Sequence, residues 1–119
     1  MTDTAAPQFD LVRVDVSGHP VLLVYGELDV MTTPRLHEAL EQVVAEEPSN
    51  VLIDLANVTF LDSTALGALV VAHRHMQDRG GELRLVAVPP AVAKVFDMTG
   101  LTERFHIYAD ADSAAGPKG

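Results

Sequence analysis

The stretch VLIDLANVTFLDSTALGALVVAHRHM, residues 51–76, decides the fold. Residues 51–55 are almost continuously apolar, which predicts a short strand buried on both faces of a sheet. Residues 62–64, Asp-Ser-Thr, offer three capping side chains directly before apolar residues of helical spacing. Between these two segments we expect a loop with apolar anchors at Val58, Phe60 and Leu61. A buried strand followed by an amphipathic helix is the repeating unit of parallel α/β sheets.

The segment before this stretch predicts a β-hairpin. Val12, Val14 and Val16 alternate with charged residues, which is typical of a half-exposed strand. Residues 17–20, Ser-Gly-His-Pro, favour a turn. The continuously apolar residues 21–25 then predict the partner strand.

Start and stop signals bound three helices. A helix begins where Ser, Thr or Asp can cap it or where Pro stands in its first turn. It ends at Gly, which accepts the left-handed conformation past a helix end, or before a Pro. The opening signals are Thr32 with Pro34, residues 62–64 and residues 89–90, and the ending signals are Pro48, residues 80–81 and Gly100.

Strands and helices alternate along the chain. Residues 83–88 predict a strand before the third helix, and residues 105–108 predict a final short strand after it. This order indicates an α/β fold with a mixed sheet, in which an N-terminal hairpin is followed by alternating parallel strands with helices packed on them. We expect one domain over residues 9–108, between a flexible lead, residues 1–8, and a disordered tail, residues 109–119.

Composition excludes several classes of protein. The chain has 119 residues, no Cys, and eight Lys and Arg against seventeen Asp and Glu, for a formal net charge of −9. Without Cys there is no disulfide framework, thiolate metal site or Cys nucleophile. The negative charge disfavours nucleic acid and anionic membrane surfaces as partners. The longest apolar run, residues 65–72, is far shorter than the ~20 residues of a membrane span. The N-terminus has no secretory pattern, so we expect a cytoplasmic protein.

Nothing in the sequence marks an enzyme or a metal site. The motifs GxSxG, GxGxxG and GxxxxGK[ST] are absent. Glu27 and Asp29 form a near pair of carboxylates, for which a solvated loop is the simpler explanation. His73 and His75 lie two apart on a helix and point away from each other, so they cannot chelate one ion. We therefore expect no catalysis, metal or cofactor, and we place His73 at the edge of the core.

Residues 62–64 permit two interpretations. Asp, Ser and Thr are the usual N-cap residues of helices, which makes a plain cap the simpler one. The other is a regulatory hydroxyl, because a Ser at a helix N-terminus is exposed to a phosphoryl donor. A phosphate on Ser63 would then lie against free N–H groups and the positive end of the helix dipole. Thr64 is the less favoured acceptor.

Four short segments carry a resemblance to a known family. They are residues 26–29 (GELD), 51–67 (VLIDL, then VTFLDSTALG), 80–83 (GGEL) and 95–101 (VFDMTGL). In this order and spacing they resemble STAS domains, and in particular bacterial anti-sigma factor antagonists. The resemblance covers nearly the whole chain, and the strand–helix order derived above fits the fold that it implies.

The resemblance implies a regulator of transcription that is switched by phosphorylation, as in bacterial stress responses. In that family the Ser directly after the motif Asp, here Ser63, is phosphorylated by a partner that is both anti-sigma factor and Ser/Thr kinase. The unphosphorylated form binds this partner and frees a sigma factor, and a PP2C-type phosphatase resets the switch. The residues expected to bind the partner are Glu27, Asp29, Asp62, Ser63, Thr64, Ala65 and Leu66.

Two departures from the family pattern bear on these expectations. Ala65 stands where the family usually has Gly; Ala resists a positive φ but suits a first helical turn. The family usually ends in another amphipathic helix, which we expect to be short or absent here, so that a partner or a homodimer could cover the exposed face. The alternative function is a STAS scaffold, or an accessory subunit of a signalling complex or membrane transporter, without a phosphorylation switch.

Overall fold

A computed structural model describes residues 9–116 as five strands and four helices; the order that the sequence predicts holds as far as β5, and a fourth helix follows it. The elements are β1 Asp10–Val16, β2 His19–Leu28, α1 Thr33–Ala45, β3 Asn50–Leu61, α2 Ser63–Gln77, β4 Glu82–Val86, α3 Pro90–Met98, β5 Ile107–Tyr108 and α4 Ala111–Ala115. The expected flexible lead, residues 1–8, lies outside the described residues, as do residues 117–119. No helix within residues 9–116 is long and apolar enough to cross a membrane.

The five strands form one mixed sheet in the order β1-β2-β3-β4-β5. The hairpin pair β1–β2 is antiparallel, and the three following pairs are parallel, which confirms the predicted fold class. Because the parallel strands point the same way, their carboxyl ends meet at one edge of the sheet. The loops that enter α1, α2 and α3 all leave from this edge.

The two faces of the sheet are covered unequally. Helices α1, α2 and α3 pack on one face and form the main core with the alternate residues of β2, β3 and β4. On the other face α4 places Ala114 and Ala115 against Val21, Leu52 and Val86. A five-residue helix is too short to be stable alone, so its order depends on this packing.

The C-terminal segment is more ordered than the sequence indicates. We expected disorder from residue 109, and this is wrong for residues 109–116, where α4 forms. Asp110 caps α4 by accepting the N–H of Ser113 at 2.8 Å. The Arg84 guanidinium donates to the carbonyl of Ala114 at 2.7 Å and to Glu82 at 2.8 Å. A small-residue segment with no apolar stripe is thus held by contacts from β4, which local sequence does not reveal.

Strand β3 is longer than predicted. The expected loop over residues 56–61 continues the strand, in parallel pairing with β2 as far as Leu28 opposite Leu61. Val58 and Leu61 are buried as expected, but Phe60 is 49% exposed and anchors nothing in the core. The pairing contains register shifts, and these break the alternation by which the sequence would have indicated a strand.

His73 lies on α2, and its neutral imidazole binds the backbone of β4 and of the segment before β5. Its Nδ1 accepts the N–H of Leu83 at 3.1 Å, so its Nε2 donates to the carbonyl of Arg104, also at 3.1 Å. The ring stacks at a tilt on Phe105, with centroids 4.9 Å apart. Burial lowers the pKa of His73, and the Arg104 carbonyl and the charge of Glu82 only partly oppose that effect. The predicted place at the core edge is confirmed.

Protonation of His73 should destabilise the protein. Because the folded-state pKa of His73 lies below the ordinary value of 6.5, the stabilisation is complete above pH ~6.5 and is lost as pH falls below it. One proton contributes a slope of at most ~1.4 kcal/mol per pH unit. We expect urea unfolding between pH 7.5 and 5.5 to show a decreasing free energy of unfolding, and a smaller decrease in His73→Gln. The exposed His75 provides the control: an equal flattening in His75→Gln would contradict this assignment.

Candidate functional site

Ser63 is the first residue of α2 and lies exposed at the carboxyl edge of the sheet. The preceding Asp62 is the N-cap, in an extended conformation. Its carboxylate accepts the N–H of Thr64 at 3.0 Å and that of Ala65 at 3.1 Å. The predicted cap is therefore confirmed, and Asp62 is the residue that provides it. The hydroxyls of Ser63 and Thr64 are left at the surface.

The end of β2 lies beside this helix start. Glu27 is opposite Phe60, Leu28 is opposite Leu61, and the carbonyl of Leu28 accepts the N–H of Asp62 at 3.0 Å. Two segments that are more than thirty residues apart in sequence are thereby fixed next to each other. The structure thus brings Glu27 and the β2–α1 loop alongside Ser63.

Asp29 orders the loop between β2 and α1. Its carboxylate accepts the N–H of Met31 at 2.9 Å and that of Thr32 at 3.1 Å. The Thr32 hydroxyl donates to the carbonyl of Glu27 at 2.7 Å and makes no cap bond to α1, which corrects its predicted capping role. Thr33 ties the helix back by donating to the carbonyl of Asp29 at 2.6 Å. These hydrogen bonds fix the loop, and the Asp29 carboxylate is already used in them.

Three carboxylates lie at the same edge of the sheet as Ser63, and they differ in whether their oxygens already accept hydrogen bonds. Asp29 and Asp62 are half-buried and bind backbone N–H groups, whereas Glu27 is exposed. None of the three takes part in an ion pair within residues 9–116. The described part of this surface therefore carries negative charge that no ion pair neutralises. The same residues contain no His, Asp and Glu cluster that could hold a metal ion.

Ala65 and Leu66 are not part of the surface. Both were expected to bind the partner, but their side chains are buried in the main core, so we correct that expectation. Ala65 lies in the first turn of α2 with helical backbone, where Ala is more favourable than Gly. The replacement of Gly by Ala at this position therefore introduces no strain.

Three exposed apolar side chains complete the surface and were missed in the sequence. Val30 is 64% exposed, Met31 is 80% exposed, and Phe60 stands one residue before the buried Leu61. All three lie at the carboxyl edge of β2 and β3, as Ser63 does. Large apolar residues clustered on a surface indicate a contact site. Apolar residues placed between a strand end and a helix cap were the signal that could have revealed Val30 and Met31.

Comparisons with known proteins agree with this fold. A model of the STAS domain matches residues 11–114. The anti-sigma-B factor antagonist of Listeria monocytogenes is 36% identical over 91 residues, which cover 76% of this chain and 80% of the relative. The crystal structure of an anti-sigma factor antagonist from Mycobacterium paratuberculosis has a TM-score of 0.83 at 33% identity and covers 91% of this chain and 92% of that one. The Bacillus cell fate determinant SpoIIAA in its phosphorylated form has a TM-score of 0.69 at 20% identity, covering 91% and 96%, which shows a similar fold alone.

Removing the cap of α2 should destabilise the chain without touching Ser63. We expect Asp62→Ala to lower the free energy of unfolding by ~0.5–2 kcal/mol, because two N–H groups lose their acceptor. Asp62→Asn keeps an acceptor oxygen and should lie close to the wild type. Urea unfolding of the three proteins measures the difference. Equal midpoints for Asp62→Ala and wild type would show that the cap contributes nothing.

Proposed function

The chain belongs to the STAS domain family, and on that premise we propose that it is an anti-sigma factor antagonist switched by phosphorylation of Ser63. The observation that carries the proposal is an exposed Ser63 hydroxyl at the capped start of α2, at the edge of the sheet where Glu27 and the β2–α1 loop also lie. Relatives that are 36% and 37% identical to this chain over 91 and 84 residues are named anti-sigma-B factor antagonists. The alternative of a scaffold or transporter subunit has no comparable support.

The unphosphorylated surface is suited to binding a protein. Met31 and Phe60 expose large apolar side chains, and burying such a side chain stabilises a complex by roughly 1.5–3 kcal/mol. Glu27 supplies exposed negative charge at the same edge of the sheet. We propose that this partner is an anti-sigma factor with serine kinase activity. Binding to it releases the sigma factor that the anti-sigma factor would otherwise hold.

For phosphorylation this chain has to supply only an accessible hydroxyl as the nucleophile. The Ser63 oxygen attacks the γ-phosphorus of ATP bound by the kinase, the bond from that phosphorus to the bridging oxygen breaks, and ADP leaves. The hydroxyl proton passes to a base of the kinase. This chain contributes the nucleophile and its position, so ATP is the kinase's substrate and no cofactor of this protein.

The added phosphate is sufficient to separate the complex. Phosphoserine carries about −1.5 to −2 charges near neutral pH. A like charge of the partner ~8 Å away is repelled by roughly 3–4 kcal/mol at an effective dielectric near 20. A hundredfold loss of affinity requires only about 2.8 kcal/mol. Glu27, Asp29 and Asp62 form no ion pair within residues 9–116, so the new charge would add to theirs.

Other parts of the proposal follow from the same switch. A PP2C-type phosphatase would remove the phosphate and return the protein to its binding form. The relatives' role is regulatory, and we propose that this chain likewise catalyses nothing, acts in the cytoplasm, and binds neither nucleic acid nor membrane directly. A homodimer is compatible with this function, because a second copy need not cover Ser63.

The switch is tested by two variants of Ser63. Ser63→Ala should bind the anti-sigma partner constitutively, and Ser63→Asp, whose single charge at the same distance costs about 2 kcal/mol, should bind ~30-fold more weakly. Thr64→Ala is the control and should remain switchable by phosphorylation. Pull-down from native lysate with mass spectrometry identifies the partner, and calorimetry then measures affinity. Equal binding of the partner by both Ser63 variants would exclude the switch.

The apolar part of the surface is tested separately. We expect Phe60→Ser to weaken partner binding by about tenfold or more, because an exposed ring that a partner would bury contributes at least ~1.4 kcal/mol. Val71→Ser is the matched control, since Val71 is similarly exposed but lies on the outer face of α2. Loss of affinity in the control alone would place the binding surface elsewhere.

A further inference from the structure

Strand β1 is an open edge of the sheet. It pairs with β2 on one side, and its other side meets no strand within residues 9–116. Its pairing with β2 runs without a bulge from Asp10 to Val16, and it contains neither Pro nor Lys. Bulges, Pro and Lys are the usual protections of an edge against a further strand. The two charges near its middle, Arg13 and Asp15, have opposite signs; within one copy Arg13 pairs with Asp15 at 3.3 Å and with Glu46 at 2.5 Å, and the Asp15 side chain remains largely exposed.

The turn of the hairpin settles which residues of β1 direct their backbone groups outward. Ser17 and Gly18 have φ values of 51° and 83°, as a two-residue turn of the I′ type requires. In such a hairpin the flanking residues, here Val16 and His19, form a hydrogen-bonded pair. Alternate residues of β1 therefore bond to β2, and those between them, which include Arg13 and Asp15, direct their N–H and C=O groups to the open side.

An apolar stripe runs along this edge. Val12 and Val14 are 41% and 39% exposed on the face of the sheet that carries α4. They continue the row that Val16 begins, where Val16 packs against the cluster beneath α4. The short α4 covers the middle of this face and leaves the two valines at the edge uncovered.

We propose that β1 pairs in antiparallel fashion with β1 of a second copy, with the two-fold axis at Val14. In this register Val14 faces Val14 of the other copy, Val12 faces Val16, and Arg13 faces Asp15. The residues whose backbone groups point outward face each other, as hydrogen bonding requires. The neighbouring registers that satisfy the same condition place Arg13 opposite Arg13 or Asp15 opposite Asp15, and like charges directly opposite are destabilising. Charge complementarity therefore selects this one.

The dimer leaves both Ser63 surfaces open. Antiparallel pairing joins the five strands of each copy into one continuous sheet and directs the two carboxyl edges in opposite directions. Each copy can then bind a partner independently. The interface involves one strand from each copy, so we expect a reversible dimer of small contact area. The inference does not depend on the function proposed above.

Sedimentation of the full chain from ~1 µM to ~1 mM, the range of weak dissociation constants, tests the dimer. Wild type should change from monomer to dimer within this range. Val14→Lys brings two ammonium groups together at the axis and should weaken the dimer by about tenfold or more. Val71→Lys, at an equally exposed site on α2, should dimerise as wild type does. A monomer throughout, or an unaffected Val14→Lys dimer, would overturn the proposal.

A charge exchange tests the register. Arg13→Asp places Asp opposite Asp15, and Asp15→Arg places Arg13 opposite Arg, so each variant alone should remain monomeric. Mixed in equal amounts, the two variants place an acidic residue of one copy opposite an arginine of the other at both contacts between positions 13 and 15. The mixture should therefore form a heterodimer. Circular dichroism verifies that both variants fold. Failure of the mixture to dimerise where wild type does would refute this register.

Discussion

The parallel pairing of β2 with β3, closed by the hydrogen bond from Asp62 to the carbonyl of Leu28, is the constraint on which the site depends. It brings the ends of two strands to one edge of the sheet and holds the β2–α1 loop beside the start of α2. The strand ends at the buried Leu61, Asp62 caps the helix, and Ser63 begins α2 with its side chain exposed. The surface is acidic because Glu27 lies at the end of β2 and Asp29 follows that strand directly.

Sequence periodicity was sufficient for most of the fold and for the location of Ser63. The hairpin, the three long helices and their order follow from apolar spacing, caps and Gly or Pro stops, each of which acts over a few residues. What failed depended on contacts between distant residues. Residues 56–61 lost their alternation to register shifts, so their strand was not recognised and Phe60 was placed in the core. Helix α4 forms because Arg84 and the back of the sheet hold it.

The site could be predicted in part for the same reason. Asp62 and Ser63 belong to a local motif, and their capping geometry agrees with it. The correction of Ala65 and Leu66 comes from helical geometry: in a helix that packs on a sheet, the third and fourth residues of α2 face inward, onto the core. Val30 and Met31 escaped notice because a loop has no periodicity against which an apolar residue stands out. Their exposure indicates a contact site because the hydrogen bonds of Asp29 fix the turn that carries them.

The cap also determines where a phosphate on Ser63 would lie. A helix N-terminus ordinarily offers free N–H groups to an anion. Here the N–H groups of Thr64 and Ala65 are already bound by Asp62, so a phosphate would have to displace that carboxylate or remain in solvent. Displacement would set two anions against each other, and the solvent position is therefore favoured. The phosphate would then face the partner rather than the helix, and the switch would act through surface charge while the fold stays unchanged.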